Sequence, residues 1–281
     1  MRGGQMQVLS LLEGLGAGHG LLTPAEGPLM RAARERGIDV QPMSLVTIAA
    51  LARKADLIHA HDARSHTWAA TLAPCPLVVS RRVAFAVKQS VLSRWKYGRA
   101  RRFLAISDYV RRALIEAEIP EDRISIVYDG VAIPECSAAG DRIIAPATDD
   151  PMKGSDLLRV AADLAGLAIH FSSNLERDLP SAALLVYISR SEGLGSAALL
   201  AMAHGVPVVA SRIGGLPEIV IEGQTGCLTE NEPQAIADAI LRALPLREQL
   251  GSAARRCVEE RFSIRQMVEN TRTAYDQVLE C

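Results

Sequence analysis

Three groups of residues in this 281-residue chain have the types and spacing to do chemistry. The first is Glu192-Gly-Leu-Gly195, which runs into Ser196-Ala-Ala-Leu-Leu-Ala-Met-Ala203, a series of strong helix formers. Glycines at 193 and 195 let the backbone approach a ligand closely. A helix starting at Ser196 then aims its unpaired N–H groups and positive dipole end at that ligand. Such a turn favours an anion, most often a phosphate. The second group is Lys153-Gly154, which opens a helical segment from Ser155 to Leu164. A cation beside a positive helix end is locally unfavourable unless an anion sits between them, and the alternative is a solvated surface lysine. The third is His59-Ala-His61-Asp62 at a strand end, where the two imidazoles point to opposite faces unless the strand has already turned. These histidines are candidates for a polar strand cap or for a ligand contact. No third side chain has the spacing to complete a metal site with them.

The elements that must position these groups are legible around the glycine turn. Ala183-Leu-Leu-Val-Tyr-Ile188 is a buried-strand pattern, Gly205 ends the helix, and Val206 to Ala210 is a second buried strand. Together they make one βαβ unit. Upstream, short strand candidates alternate with helices: Gly20–Thr23, Ile38–Pro42, Asp56–His61, Leu77–Ser80, Arg102–Ile106 and Arg123–Tyr128. Helices are expected at Met6–Glu13, Pro28–Arg36, Leu45–Ala55 and Ser65–Leu72. The second half continues with strands Arg142–Pro146 and Ala168–Phe171, with room for only one short helix between Phe171 and Leu184. The tail is expected to be helical from Glu232 to Leu244 and from Arg247 to Leu279. This rhythm means parallel βαβ units with ligands at the carboxyl ends of the strands. Proline, glycine and small residues between Ala132 and Gly140 mark the domain boundary.

Composition removes several function classes. An apolar fraction of 49% fills a real core, and a net charge of −1 with 4% aromatics argues against polyanion binding and base stacking, so no nucleic-acid partner is expected. The five cysteines (Cys75, Cys136, Cys227, Cys257 and Cys281) are odd in number and lack C-x-x-C spacing, so they read as reduced thiols of a cytoplasmic protein. No apolar run reaches the ~18 residues of a spanning helix.

The turn also satisfies a loose dinucleotide fingerprint, Gly193-x-Gly195-x-x-Ala198, with Arg212 placed to accept a 2′-phosphate as in an NADP-dependent oxidoreductase. Against that reading, Ser189-Arg-Ser-Glu192 intervenes between strand and glycines, and Gly214-Gly-Leu-Pro-Glu218 has no role in such a fold. The ordered series Glu192-Gly-Leu-Gly195, Ala201-Met-Ala-His-Gly-Val-Pro207, Gly214-Gly-Leu-Pro-Glu218 and Gly223–Gly226 instead resembles the donor-site signature of retaining GT-B glycosyltransferases of family 4, also called glycosyl transferases group 1. Val127-Tyr-Asp-Gly-Val131 resembles that family's interdomain N-G-V turn, with Asp129 in place of Asn. The resemblance covers nearly the whole chain and is densest from Phe103 to Gly226.

The resemblance implies an α/β GT-B fold: two Rossmann-like domains, residues 1–134 on the acceptor side and 141–281 on the donor side, with the donor cleft between them. The helix around Phe262-Ser263…Tyr275 would cross back onto the first domain. A first strand ahead of the Gly3-Gly4 turn is absent, so the expectation is either a late start at Met1 or a lost strand. The second domain is shorter than usual. The implied activity is hexosyl transfer, with retention, from a nucleotide-diphosphate sugar to a saccharide or lipid-linked acceptor. The setting would be cell-envelope glycan synthesis, with no metal or other cofactor. His61 would face the donor sugar, Glu192 would position it, and Lys153 would neutralise the leaving diphosphate. Thr148 (where the family has Arg), Lys153, Gly193, Leu194, Gly195, Ser196, Ala197 and Leu200 would line the donor site. Gly3, Gly4 and Arg82 would lie on the acceptor side. Leu200 replaces the second glutamate of the family's E-x7-E pattern and cannot accept bonds from ribose hydroxyls. A basic patch of Arg81, Arg82, Lys96, Arg99, Arg101 and Arg102 would face an anionic acceptor or the inner membrane surface, or else be solvated helix charge. The departures at Leu200 and Thr148 and the missing first strand keep a second class open, a non-catalytic nucleotide-sugar-binding or partner protein on the same fold.

Overall fold

Alternating β-branched runs and helices build parallel sheets only, in a computed structural model that describes residues 3–85, 87 and 90–280. The chain divides into two units, Met1–Gly130 with Ile264–Cys281, and Val131–Ser263. The division therefore falls at Gly130/Val131, so residues 131–134, expected in the first domain, belong to the second unit. The expected linker lies inside the second unit as well. It is held there because the Arg255 guanidinium donates to Pro134 O at 2.6 Å and Ala138 N donates to His204 O at 2.7 Å.

In the first unit the order is α1 (Gly3–Leu15), β1 (Gly20–Thr23), α2 (Pro28–Glu35), β2 (Asp39–Pro42), α3 (Leu45–Leu51), β3 (Ile58–Ala60), α4 (Ala63–Leu72), β4 (Leu77–Arg81), α5 (Val91–Arg99), β5 (Arg102–Ala105), α6 (Asp108–Glu116) and β6 (Ile124–Ile126). β1 and β2 pair by themselves, and β3 to β6 form a second sheet in sequence order. A doubly wound sheet would hold one more strand between β1 and β3; among the described residues none precedes α1. Gly3 and Gly4, expected as a turn, instead open α1, since glycine adopts helical dihedrals as readily as others at a helix start. Helix starts are set by side-chain caps: Ser44, Ser90 and Ser107 each accept from the amide three residues on, and Asp62 makes a reciprocal capping box with Ser65.

The second unit runs β7 (Arg142–Pro146), α7 (Ser155–Ala165), β8 (Ile169–Ser172), α8 (Leu175–Asp178), β9 (Ala182–Tyr187), α9 (Ser196–Ala203), β10 (Val208–Ser211), α10 (Leu216–Ile219), β11 (Gly226–Thr229), α11 (Pro233–Ala243) and α12 (Arg247–Arg261). Its five parallel strands stand in the order β11-β10-β9-β7-β8. The chain thus steps from β7 to one side and then crosses to the other, so the topological switch lies between β7 and β9, where doubly wound sheets bind ligands. Ile143, Leu184, Val186, Val209, Ile236 and Leu250 are among the side chains of its core.

The chain returns to the first unit with α13 (Ile264–Leu279). The single helical tail expected from Arg247 to Leu279 is therefore two helices. Phe262 is 1% exposed and its carbonyl accepts from Val131 N at 2.9 Å, which takes it out of the helical ladder. Met267, Val268 and Val278 of α13 join Leu11 and Leu15 of α1 and Val78 and Leu104 of the sheet in one core.

Candidate functional site

The loops leaving β7 and β9 meet at the switch point. After β7, Pro151–Lys153 forms a single 3₁₀ turn capped by Asp150, whose carboxylate accepts from Met152 N at 2.9 Å. After β9, Ser189 to Gly195 forms the glycine turn. Lys153 Nζ donates to Glu192 Oε2 at 2.6 Å, Tyr187 OH donates to the same oxygen at 2.6 Å, and Lys153 Nζ lies 3.2 Å from Tyr187 OH. Burial, reinforced by the Glu192 charge, pushes the Tyr187 phenol well above its ordinary pKa, so it stays protonated and donates. Lys153 and Glu192, two residues singled out from sequence, are thus one ion pair, with side chains 28% and 16% exposed. Tyr187 was not singled out. Its only signal is that it closes an otherwise aliphatic strand directly before the turn.

The turn owes its shape to a second glycine pair. A Cβ at Gly214 would lie 1.9 Å from Glu192 O, and one at Gly215 would lie 2.2 Å from Gly193 O. Gly215 N also donates to Glu192 O at 3.2 Å. The downstream Gly-Gly therefore exists to let two backbones nest. Gly195, the N-cap of α9, has φ 117° and ψ 65° and offers no side-chain cap, so the first-turn amides of Ser196 and Ala197 keep their donors for a ligand. Behind the turn, Ser189 N donates to Ser211 Oγ (2.9 Å), Ser211 Oγ to Asn231 Oδ1 (2.6 Å) and Asn231 Nδ2 to Ser189 O (2.9 Å), which locks the ends of β9 and β10. Thr148 turns its hydroxyl to Asp150 N at 3.1 Å and so braces the Lys153 loop. Leu194 is buried, Gly193, Ala197 and Leu200 are half-buried, and Ser196 is exposed. Arg212, the cation of the dinucleotide alternative, lies beside Glu222 (3.7 Å) and Glu230 (3.6 Å).

A different polar cluster forms in the first unit. β3 ends at Ala60, so the chain has turned before His61, and the rings of His59 and His61 stand 3.9 Å apart rather than on opposite faces. His59 Nδ1 is 2.7 Å from Tyr275 OH and His59 Nε2 is 2.8 Å from Ser80 Oγ. Burial first, then the Arg82 charge, lowers His59 to about 3, and burial, His59 and Arg82 hold His61 well below its ordinary value. Both are neutral imidazoles at neutral pH. Among the described residues His61 Nδ1 is buried without a partner. Asp62 is committed to capping α4 and is not available to the pair.

Arg82, expected on an exposed basic patch, is instead ion-paired with Asp129, and their side chains are 18% and 7% exposed. Gly4 packs against it, a Cβ there falling 3.5 Å from Arg82 Cδ. Gln7 brackets Gly130 from α1, accepting from its N–H at 3.1 Å and donating to its C=O at 2.9 Å. A cavity of about 10 Å³, lined in part by His59, Ser80, Arg82, Asp129 and Thr271, lies in this cluster. Two more members of the expected patch are also tied down: Arg99 donates to the carbonyls of Ala70 (3.3 Å) and Ala73 (3.2 Å), and Arg102 to Ser125 Oγ (3.0 Å). No three His, Cys, Asp or Glu side chains group as a metal site among the described residues.

Two Rossmann-like units with parallel sheets, as found here, are the architecture of GT-B glycosyltransferases, and solved members match the whole chain. Residues 2–133 match the family model described as Glycosyltransferase Family 4, and residues 123–245 the model described as Glycosyl transferases group 1. Anabaena HepE, solved in complex with UDP, superposes with a TM-score of 0.87 at 17% identity over 98% of this chain and 96% of that one. A glycosyltransferase from Rickettsia africae gives 0.77 at 19% identity, over 99% and 94%. Among curated relatives, N-acetyl-alpha-D-glucosaminyl L-malate synthase of Bacillus anthracis is 34% identical over 110 residues, 38% of this chain and 29% of that protein. D-inositol 3-phosphate glycosyltransferase of Corynebacterium diphtheriae is 46% identical over 70 residues, 24% of this chain and 16% of that protein. The chain thus aligns with under a third of the length of these relatives.

Proposed function

We propose that the protein is a hexosyltransferase that moves a sugar from a nucleotide-diphosphate donor to a saccharide or lipid-linked acceptor, with retention at the anomeric carbon, in cell-envelope glycan synthesis. The observation that carries the donor half is the Lys153–Tyr187–Glu192 cluster beside the open first turn of α9 at the switch point. Departure of the nucleoside diphosphate builds negative charge on its leaving oxygen. In this reading Lys153, the amides of the turn and the helix dipole stabilise that charge without a metal, and they do so more strongly in the transition state than before it.

Glu192 then exchanges the Lys153 ammonium for the donor's hydroxyls, while the Tyr187 hydroxyl continues to hold its carboxylate. His61, as a neutral imidazole, faces the sugar. Thr148 stands where an arginine would clamp the diphosphate, which leaves Lys153 as the main cation. Leu200 leaves ribose without a carboxylate partner. Gly3, Gly4 and Arg82 border the acceptor. Retention and the envelope setting rest on the resemblance of the motif series.

The test is release of nucleoside diphosphate from a panel of nucleotide sugars, with uridine nucleotides first because HepE was solved with UDP and with UDP-glucose. Products are then assigned at the anomeric carbon by NMR. Release with retained configuration is expected; inversion would overturn the stereochemical part. Binding without turnover on any donor and acceptor pair would leave a nucleotide-sugar-binding protein.

A further inference from the structure

The loop that carries Lys153 runs from the end of β7 to the start of α7, and its internal bonds are local. Thr148 Oγ1 accepts from Asp150 N at 3.1 Å, Asp150 Oδ1 from Met152 N at 2.9 Å, and Asp150 O from Lys153 N at 2.9 Å. Such bonds shape the turn without joining it to the next strand end. Arg190, two positions before Glu192, makes that join. Its amide donates to Met152 O at 2.7 Å, its Nη1 to Pro151 O at 2.7 Å and its Nη2 to Asp156 Oδ2 at 3.2 Å. Pro151 and Met152 precede Lys153, and Asp156 lies in the first turn of α7. One residue therefore grips both sides of the Lys153–Gly154 step. The step itself lies against Ile188, the residue after β9: Gly154 has φ 59°, and a Cβ there would fall 2.6 Å from Ile188 Cγ2.

This grip matters because the Lys153 ammonium sits on a flexible four-carbon stem. It reaches a defined place only when the backbone beneath it is fixed. Glu192 cannot supply that fixing, since it releases the ammonium when the donor enters. The Arg190 bonds use neither the ammonium nor the Glu192 carboxylate, so they persist through the exchange. A planar guanidinium also offers paired donors in a rigid fork, which suits a side chain that must hold a carbonyl and a carboxylate at once. The side chains of Arg190 and Asp156 are 42% and 64% exposed, so their ion pair adds little to the stability of the whole unit. Its effect is local, on how often one loop opens. A direct contact between Arg190 and the diphosphate would instead require the guanidinium to leave both Pro151 and Asp156.

We propose that Arg190 is a positioning residue of the donor site, clasping the Lys153 loop to the Glu192 loop so that the ammonium meets the diphosphate. This inference rests on the donor-site reading above. Its test has two arms, and the first needs no ligand. The amide of residue 190 survives in Arg190→Ala and still faces Met152 O, so its hydrogen exchange reports whether the loop is held. Protection there should fall about tenfold in Arg190→Ala and less in Arg190→Lys. Thermal melts should stay near that of the unmodified chain, because the side chain is exposed. The second arm is a double-mutant cycle on affinity for UDP, ADP, GDP and dTDP. Arg190→Ala should weaken binding about tenfold in the unmodified chain but less than about twofold in Lys153→Ala, where no ammonium is left to position. Additive losses would overturn the proposal and put Arg190 on the phosphates. Unchanged protection at the amide of residue 190 would overturn the clasp itself. If none of these diphosphates bound the unmodified chain, the donor-site reading would fall and this inference with it, whatever the exchange arm showed.

Discussion

The two units build their polar centres in opposite ways. In the second, the turn, its helix and Glu192 are contiguous in sequence, and Lys153 comes from the neighbouring strand end across the switch point. In the first, His59, Ser80 with Arg82, Asp129 and Tyr275 come from four separate segments, and the charges are matched internally with little exposure. The second centre is half-open and ends on helix donors that a ligand can use. The first is largely satisfied and holds its own unit together, leaving His61 Nδ1 and Arg82 Nε as its buried side-chain atoms without a partner among the described residues. One arrangement is built to exchange partners and the other to keep them.

The largest effect that would break this contrast is in the first unit. Arg82→Met strands Asp129 in a site where its side chain is 7% exposed, and loss of one partner of a buried pair costs about 3–5 kcal/mol. Denaturant melts followed by hydrogen exchange should show the loss in residues 1–130 and 264–281, with the second unit retaining protection. Equal loss in both units would deny that they are separate centres.

Next in size is the nested turn. Gly214→Ala puts a Cβ 1.9 Å from Glu192 O at φ 59°, and overpacking together with the left-handed backbone costs about 3 kcal/mol. Gly223→Ala, at φ 70° but in open space, should cost only about 1 kcal/mol. Similar urea midpoints for the two variants would refute the nesting argument.

Acid should separate the units too. His59 and His66 of the first unit are held down to about 3 and about 4, chiefly by burial, against an unfolded value near 6.5. Between those values the unfolded chain binds more protons, so this stability is full above about pH 6.5 and fades as pH falls through the window. In the second unit His204 shares the direction, whereas Asp178 is held low by Arg177 and Ser172 and matters only below the ordinary carboxylate range. Exchange protection should therefore fade in the first unit before the second as pH drops from 6.5 to 4. The reverse order would contradict the assignment.

The same contrast explains what could be read from sequence. Strand and helix alternation, the βαβ unit around Gly193–Gly195 and the positions of Lys153 and Glu192 in the loops beside helix starts were legible because each is local in the chain or marked by glycine and lysine at a helix start. The direct Lys153–Glu192 bond was not legible, since the adjacency of β7 and β9 is a property of strand order. Tyr187 was hidden as one more strand residue. In the first unit, Arg82 read as surface charge because its partner Asp129 is 47 positions away. The β11 strand was masked by reading Gly223–Gly226 only as a motif.

The smallest expected effect concerns Tyr187. Tyr187→Phe removes one charge-assisted hydrogen bond to Glu192, about 1.5–3 kcal/mol at most and less in a half-open site. It should raise the KM for donor a few-fold with a smaller change in kcat. A pure kcat effect would instead place the hydroxyl on the reacting atoms.

The central claim is that the donor diphosphate binds in the second unit between Lys153 and the first turn of α9. Amide chemical-shift mapping during titration with nucleoside diphosphates tests it most directly, in the unmodified chain and in Lys153→Ala. The expected result is a cluster of shifts at Lys153, Gly154 and Gly193 to Ala198, with affinity falling at least tenfold in the variant. Shifts confined to the His59–Arg82 cluster, or unchanged affinity in Lys153→Ala, would contradict the account.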